Sequence, residues 1–245
     1  MTRYRILVEY DGGPFAGWQM QENAPTIQAS LEEAGFKISG EHIRMDGAGR
    51  TDAGVHALGQ VAHFDMEKDF SPDQLRDALN FHLRPLPISV LEAQIVEPDF
   101  HARFGARSRH YLYLICNRRA RLAIHLNRVW LVNRPLDDIK MHEAAQILVG
   151  RHDFTSFRAT LCQSASPIKT LDRLSVSRQG DNIHIEADAR SFLHHQVRNI
   201  VGSLAMVGAG KWNKEDIVRI LAAKDRAQAG PTAPPEGLYL TRVQY

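Results

Sequence analysis

The order in which strand-like and helix-like stretches follow one another, run through twice, constrains this chain more than any single residue does. RYRILVEY (3–10) alternates and is rich in β-formers, so it reads as a strand. Thr26 to Ile38 follows as a helix, opened by Pro25 and Thr26, with Ile27, Leu31 and Ala34 at helical spacing. Short strands are expected at Ile43–Met45 and Val61–Phe64. Ser71 then caps the helix SPDQLRDALNFHL, with Pro72 at its first position and Asp73 in its first turn. ISVLEAQIV (88–96) closes the half as a strand. The order β-α-β-β-α-β is the ferredoxin-like arrangement. The second half repeats it with insertions. HYLYLI (110–115) is a strand, and Asp138–Val149 is a helix stopped by Gly150. Two strands flank a Gln-Gly-Asp-Asn turn near residue 180. Helices run over His195–Val207 and Lys214–Ala223, and GLYLTRVQY (237–245) supplies a last strand. The expected architecture is α+β: two similar ferredoxin-like (RRM-like) domains, 1–105 and 106–245. Their antiparallel sheets would flank a central basic cleft, a natural place for an elongated polymer.

A chain of 245 residues, 44% hydrophobic and 24% charged, is large enough to bury a real core. No apolar run approaches the ~20 residues a membrane helix needs. The opening MTRYRILVEYDG lacks the apolar stretch and cleavage site of a signal peptide, so a cytoplasmic, non-membrane protein is expected. Cys116 and Cys162 stand far apart with no CxxC pairing, which suits two small buried apolar residues better than a metal or redox centre.

Net charge is only +2, but it is unevenly spread. Between His101 and Arg134 stand arginines 103, 107, 109, 118, 119, 121, 128 and 134, with no Asp or Glu. Guanidinium groups offer planar, bidentate donors matched to phosphate. Tyr111, Tyr113 and Trp130 are interleaved among them. Basic charge with aromatics is the footprint of a nucleic-acid channel, although a solvated charged face has the same composition.

The densest signal is GAGRTDAGVHALGQVAHF (47–64), read as a loop between two short strands. Its glycines, 47, 49, 54 and 59, permit tight backbone and close approach of a ligand. It is not a dinucleotide fingerprint, because Asp52 stands where GxGxxG needs its third glycine. No GxxxxGK[ST] occurs either. Asp52 follows Arg50 by two residues; a loop aspartate also commonly makes an Asx-turn or caps a helix. His194 and His195, read as neighbours on a helix, point different ways and do not suit a single metal site, so no metal is expected.

Through GRTDAGVHALGQVAHF the chain resembles the tRNA pseudouridine synthase A family. The likeness continues through YDGGPFAGWQMQ (10–21), TIQASLE (26–32), RHYLYLI (109–115), HDFTSFRA (152–159), SFLHHQVRNIVGSL (191–204) and APPEGLYL (233–240). One departure is Lys169 in SPIKTL, where an arginine is more usual; it touches a phosphate contact only.

The resemblance implies isomerisation of uridine to pseudouridine at positions 38, 39 and 40 of the tRNA anticodon stem-loop. That reaction needs no cofactor. The resemblance gives Asp52 the role of nucleophile, and leaves attack at C1′, attack at C6 and a glycal-like species all open. It implies that Arg198 pairs with the carboxylate, holding it ionised against burial. It assigns Tyr111 to stacking on the uracil, ahead of Tyr113, and Arg50 to displacing the target base, a role that phosphate contact rivals. Extruding a stacked uridine costs a few kcal/mol, which arginine–phosphate contacts can offset. A homodimer straddling one tRNA is also implied. Two other classes fit part of the pattern. A non-catalytic RNA-binding protein with tandem RRM-like domains needs the arginines but not GRTDAG. A glycoside hydrolase needs a second carboxylate ~5–10 Å from the first, and none stands out.

Overall fold

The computed structural model describes residues 1–160 and 162–245. The chain is mixed α and β, with mostly antiparallel sheets and, among the described residues, five α-helices. It divides into two compact units: Met1–Arg107 with Tyr239–Tyr245, and Ser108–Leu238.

In the first unit the order is β1 (Thr2–Tyr10), α1 (Ile27–Ser39), β2 (Asp46–Gly47), β3 (His56–Met66), α2 (Pro72–Leu83) and β4 (Ile88–Ile95). β1 runs antiparallel between β3 and β4, with Tyr4 opposite both Phe64 and Ile95. β2 pairs with β3 at Asp46–His63. The far end of β3 takes β11 (Leu238–Gln244) in parallel, Tyr239 opposite His56. The sequence reading put that last strand in the second domain. It lies with the first instead, because its ladder partner in this unit is β3.

Alternation along β1 turns Tyr4, Ile6, Val8 and Tyr10 inward, all buried. Helix α1 brings Ile27, Leu31 and Ala34 at spacings of three and four, and α2 brings Leu75, Leu79 and Leu83, the apolar stripes expected of core-facing helices. Both starts are capped as their residues suggest. The Thr26 side chain accepts from the Ala29 amide, and Ser71 and Gln74 make a reciprocal capping box. Two expectations shift. Ile43 and Met45 are core residues but make no ladder; the pairing falls at Asp46–Gly47. The loop is also shorter than read, since β3 already begins at His56.

The second unit holds β5 (Ser108–Cys116), β6 (Trp130–Leu131), α3 (Asp138–Gln146), β7 (Gly150–Asp153), β8 (Ile168–Leu171), β9 (Arg173–Gln179), β10 (Asn182–Ala189), α4 (Gln196–Gly208) and α5 (Lys214–Ala223). Strand β10 runs antiparallel between β5 and β9, with Tyr111 opposite Ala187 and Tyr113 opposite Ile185. β7 and β8 form a separate pair. Helix α3 ends three residues before its expected stop, because Gly150 is already in β7 with φ +106°. Helix α4 is buried almost all round, and three of its buried residues are polar: Gln196, Asn199 and Ser203. Their partners are internal. Asn199 donates to the Phe157 carbonyl (2.9 Å), and Ser203 accepts from the Gly230 amide (3.0 Å). Among the described residues no helix is long and apolar enough to cross a membrane.

Candidate active site

The Asp52 loop, residues 48–55, is held by backbone and side-chain bonds from three directions. From β3, the Ala48 amide donates to the Val61 carbonyl (2.7 Å), and Gln60 Nε2 donates to the Gly49 carbonyl (2.8 Å). From the segment after β1, the Trp18 amide donates to the Thr51 carbonyl (3.0 Å), and Gly54 donates to Phe15 (3.3 Å). From β1 itself, the Tyr10 hydroxyl lies 2.8 Å from Thr51 Oγ1. Val55 closes a tight turn by donating to the Asp52 carbonyl (3.1 Å), and Gly54 supplies the φ of +77° in that turn. Gly17 is required by close approach: a Cβ there would lie 2.5 Å from the Thr51 carbonyl oxygen, at a φ of +100°. Asp52 emerges half-buried from this frame, and Arg50 is exposed.

The wall beside the loop is polar and buried. His56 Nδ1 lies 3.0 Å from the Gly12 amide and 3.1 Å from Asp11 Oδ1, and its ring stacks on Tyr239 at 4.7 Å. Burial pushes the Tyr10 phenol up to about 12, only partly offset by hydrogen bonds from Thr51 and Gln60, so it stays a neutral hydroxyl over any working pH. Sequence reasoning did not single out Tyr10, Gln60, Asp11 or His56. All four lie within the quoted motifs, but their types suit strand interiors equally well.

Arg198 sits in the first turn of α4 and is fastened to the segment that follows α5. Its Nε donates to the Ala233 carbonyl (2.8 Å), while the Ala233 amide donates to the Arg198 carbonyl (3.1 Å). That segment is itself tied down. Thr232 donates to Asn199 Oδ1 (2.7 Å), and Arg226 bonds both Thr232 and Asn199. The helix start departs from the sequence reading. His195 is not helical but is the N-cap, at φ +61°, and its ring lies 4.0 Å from that of His194. The two histidines are therefore not neighbours on a helix.

The aromatic pair on β5 divides. Tyr113 is fully buried, and its hydroxyl donates to the Pro234 carbonyl (2.8 Å). Burial, with Glu236 nearby, pushes its phenol far above the usual range, against an opposing pull from Arg198. Tyr111 is only half-buried and meets Phe192 edge-to-face at 5.1 Å. Of the interleaved aromatics, Tyr113 is in the core and meets Trp130, itself only partly buried, edge-to-face at 6.2 Å. The arginine block needs one correction as well. Seven of its members are exposed, but Arg109 is buried, with its guanidinium on the Arg190 carbonyl. The cysteines divide too: Cys116 is buried, while Cys162 is part-exposed and accepts from the His194 amide at 3.4 Å.

Asp46, His63 and His101 bring one ligand-type atom each within 4.8 Å of one another. His101 Nδ1 accepts from the Arg103 and Phe104 amides (3.1 and 3.4 Å), so its neutral ring carries hydrogen on Nε2, as a donor. That tautomer does not suit a cation.

A family model described as tRNA pseudouridine synthase matches residues 6–105 and 144–245. Those segments include Asp52, Arg50 and Arg198; Tyr111 lies between them. The chain is also similar over its full length to curated proteins named tRNA pseudouridine synthase A. It is 61% identical over 245 residues to that of Afipia carboxidovorans, with 100% of both chains covered. For Nitrobacter winogradskyi the identity is 61%, covering 100% of this chain and 96% of the relative. For Maricaulis maris it is 57%, covering 100% and 98%.

Proposed function

The chain belongs to the tRNA pseudouridine synthase family, and on that premise we propose that Asp52 is the nucleophile with which it isomerises uridine at positions 38, 39 and 40 of the anticodon stem-loop. The enzyme is an isomerase that makes pseudouridine in tRNA. The family match supports this over a non-catalytic RNA-binding protein built from RRM-like domains. The observation that carries the choice of Asp52 is the loop: a carboxylate on a short turn whose flanking backbone is pinned on three sides.

The chemistry asks for little else. The N1–C1′ bond breaks and a C5–C1′ bond forms, the C5 hydrogen leaves and N1 gains one, so no redox partner or group donor enters. The reaction does require a carboxylate nucleophile. It holds the intermediate while the uracil turns. Arg198, its guanidinium plane steadied by the Ala233 carbonyl, favours the charged form as ion-pair partner. Tyr111, the less buried of the two β5 tyrosines, stacks on the extruded uracil. Arg50, exposed beside Asp52, fills the space the base leaves.

We read each unit as a ferredoxin-like domain, Met1–Arg107 with Tyr239–Tyr245 carrying the Asp52 loop and Ser108–Leu238 carrying Tyr111 and Arg198. The strand order β4-β1-β3-β2 of the first unit supports that reading for its half. We further propose a cytoplasmic homodimer acting on one tRNA. The deciding experiment measures release of the C5 hydrogen from uridine in tRNA by Asp52→Asn. Loss of release with tRNA binding largely kept is expected; retained turnover overturns the assignment.

A further inference from the structure

Tyr10, Thr51 and Gln60 form a buried polar chain under the Asp52 loop. They are 4%, 6% and 0% exposed. The Tyr10 hydroxyl lies 2.8 Å from Thr51 Oγ1, and Gln60 Nε2 reaches the same hydroxyl at 3.5 Å while donating to the Gly49 carbonyl at 2.8 Å. Gln60 Oε1 accepts from the Val61 amide at 3.2 Å, which settles which end of the amide faces the loop.

Packing alone does not call for these groups. Phenylalanine, valine and leucine would fill much the same volumes without the cost of desolvating polar atoms. A fully connected buried network instead holds its members to one geometry. The atoms this one holds lie on either side of Arg50 and immediately before Asp52. The Trp18 amide takes the remaining oxygen of Thr51, its carbonyl, at 3.0 Å. Thr51 is therefore gripped by backbone and side chain at once, and Asp52 leaves it with its direction set.

We propose that Tyr10, backed by Gln60, is a positioning residue for the isomerisation: its hydroxyl fixes Thr51 and so the direction in which the Asp52 carboxylate is presented. This rests on the reading of Asp52 as nucleophile. An error near 1 Å in a reacting group costs on the order of 100-fold in rate, and the link is a directional bond of the kind that prevents it. The high titration range of the Tyr10 phenol keeps the bond intact across the working pH.

The test compares Tyr10→Phe, Thr51→Val, Thr51→Ser, the Tyr10→Phe/Thr51→Val double variant and Asp52→Asn in the full-length protein. Three quantities are measured for each: the single-turnover rate of C5 hydrogen release at saturating tRNA, the tRNA dissociation constant and Tm. Tyr10→Phe and Thr51→Val should slow the chemical step by about 10- to 100-fold. Binding should stay within about twofold, since neither side chain is exposed to the RNA. Thr51→Ser keeps the hydroxyl and should recover most of the rate. The double variant should be no slower than Thr51→Val, because both changes cut one link. Wild-type rates in Tyr10→Phe and Thr51→Val beside an inactive Asp52→Asn overturn the positioning role alone. So does a rate loss matched by the unfolded fraction. An active Asp52→Asn removes the nucleophile reading and this proposal with it.

Discussion

Tyr111 and Tyr113 share one face of β5, yet Tyr113 is sealed with its hydroxyl on the Pro234 carbonyl while Tyr111 stands half-open, edge-on to Phe192. On the proposed function the two therefore have different work. Tyr113→Phe leaves the Pro234 carbonyl without its donor and should cost about 1 kcal/mol of stability, read from urea unfolding, with no change in turnover. Tyr111→Leu, which removes the stacking ring, should do the opposite, slowing C5 hydrogen release while moving the unfolding midpoint little. An equal loss of stability in both would remove the distinction.

Truncating Arg198 removes its Nε bond to the Ala233 carbonyl but keeps the bond from the Ala233 amide to the Arg198 carbonyl, which ties the first turn of α4 in place. Arg198→Ala should lower the single-turnover rate by about 100-fold, the usual scale for deleting a charge-stabilising donor, and weaken tRNA binding far less. A rate equal to wild type would rule out the ion pair.

Gly17 has no room for a side chain. Alanine there would set a Cβ 2.5 Å from the Thr51 carbonyl oxygen in a backbone conformation with φ +100°. Gly17→Ala should destabilise by about 1–3 kcal/mol and displace the loop, so that activity falls further than the loss of folded protein explains. Activity per folded molecule at the wild-type value would mean the loop absorbs the shift elsewhere.

His63 gives stability a pH dependence. It is buried, and desolvation holds its pKa below the usual histidine value. The Asp46 backbone and charge oppose that, while His101 and Arg3 reinforce it. The folded protein therefore binds a proton less readily than the unfolded chain. Its full contribution is present above the unfolded value near ~6.5 and is lost as pH falls below that value. Urea midpoints measured from pH 7.5 down to 5 should fall, and His63→Asn should flatten that part of the fall. An unchanged slope in the variant would place the effect elsewhere.

Much of the frame could be read from local signals. Helices α1, α2 and α5 start where Thr26, Ser71 and Asn213 accept from the amide three residues on, which is short-range chemistry. The misses had long-range causes. β3 reaches back to His56 through a stretch of glycine, histidine and glutamine because β1 and β11 pair along it, and nothing within residues 56–60 announces those partners. Arg109 counted as surface charge until the strand's alternation turned it inward. Asp52 and Arg50 stood out through the words around them. Tyr10, Thr51 and Gln60 did not, since their significance is a contact among three separate stretches of chain.

The parallel pairing of Tyr239 with His56 also bears on how the protein is made. A chain emerging from the ribosome exposes β3 before the second unit, Ser108–Leu238, is made, and the strand that lies against the first residues of β3 is translated after that unit. During synthesis that edge stays unzipped, a stretch of open backbone amides and carbonyls waiting for its partner. The unit that holds Asp52 is therefore completed only after the second unit has been made, and a nascent chain interrupted before residue 239 would carry the motif without its completed scaffold.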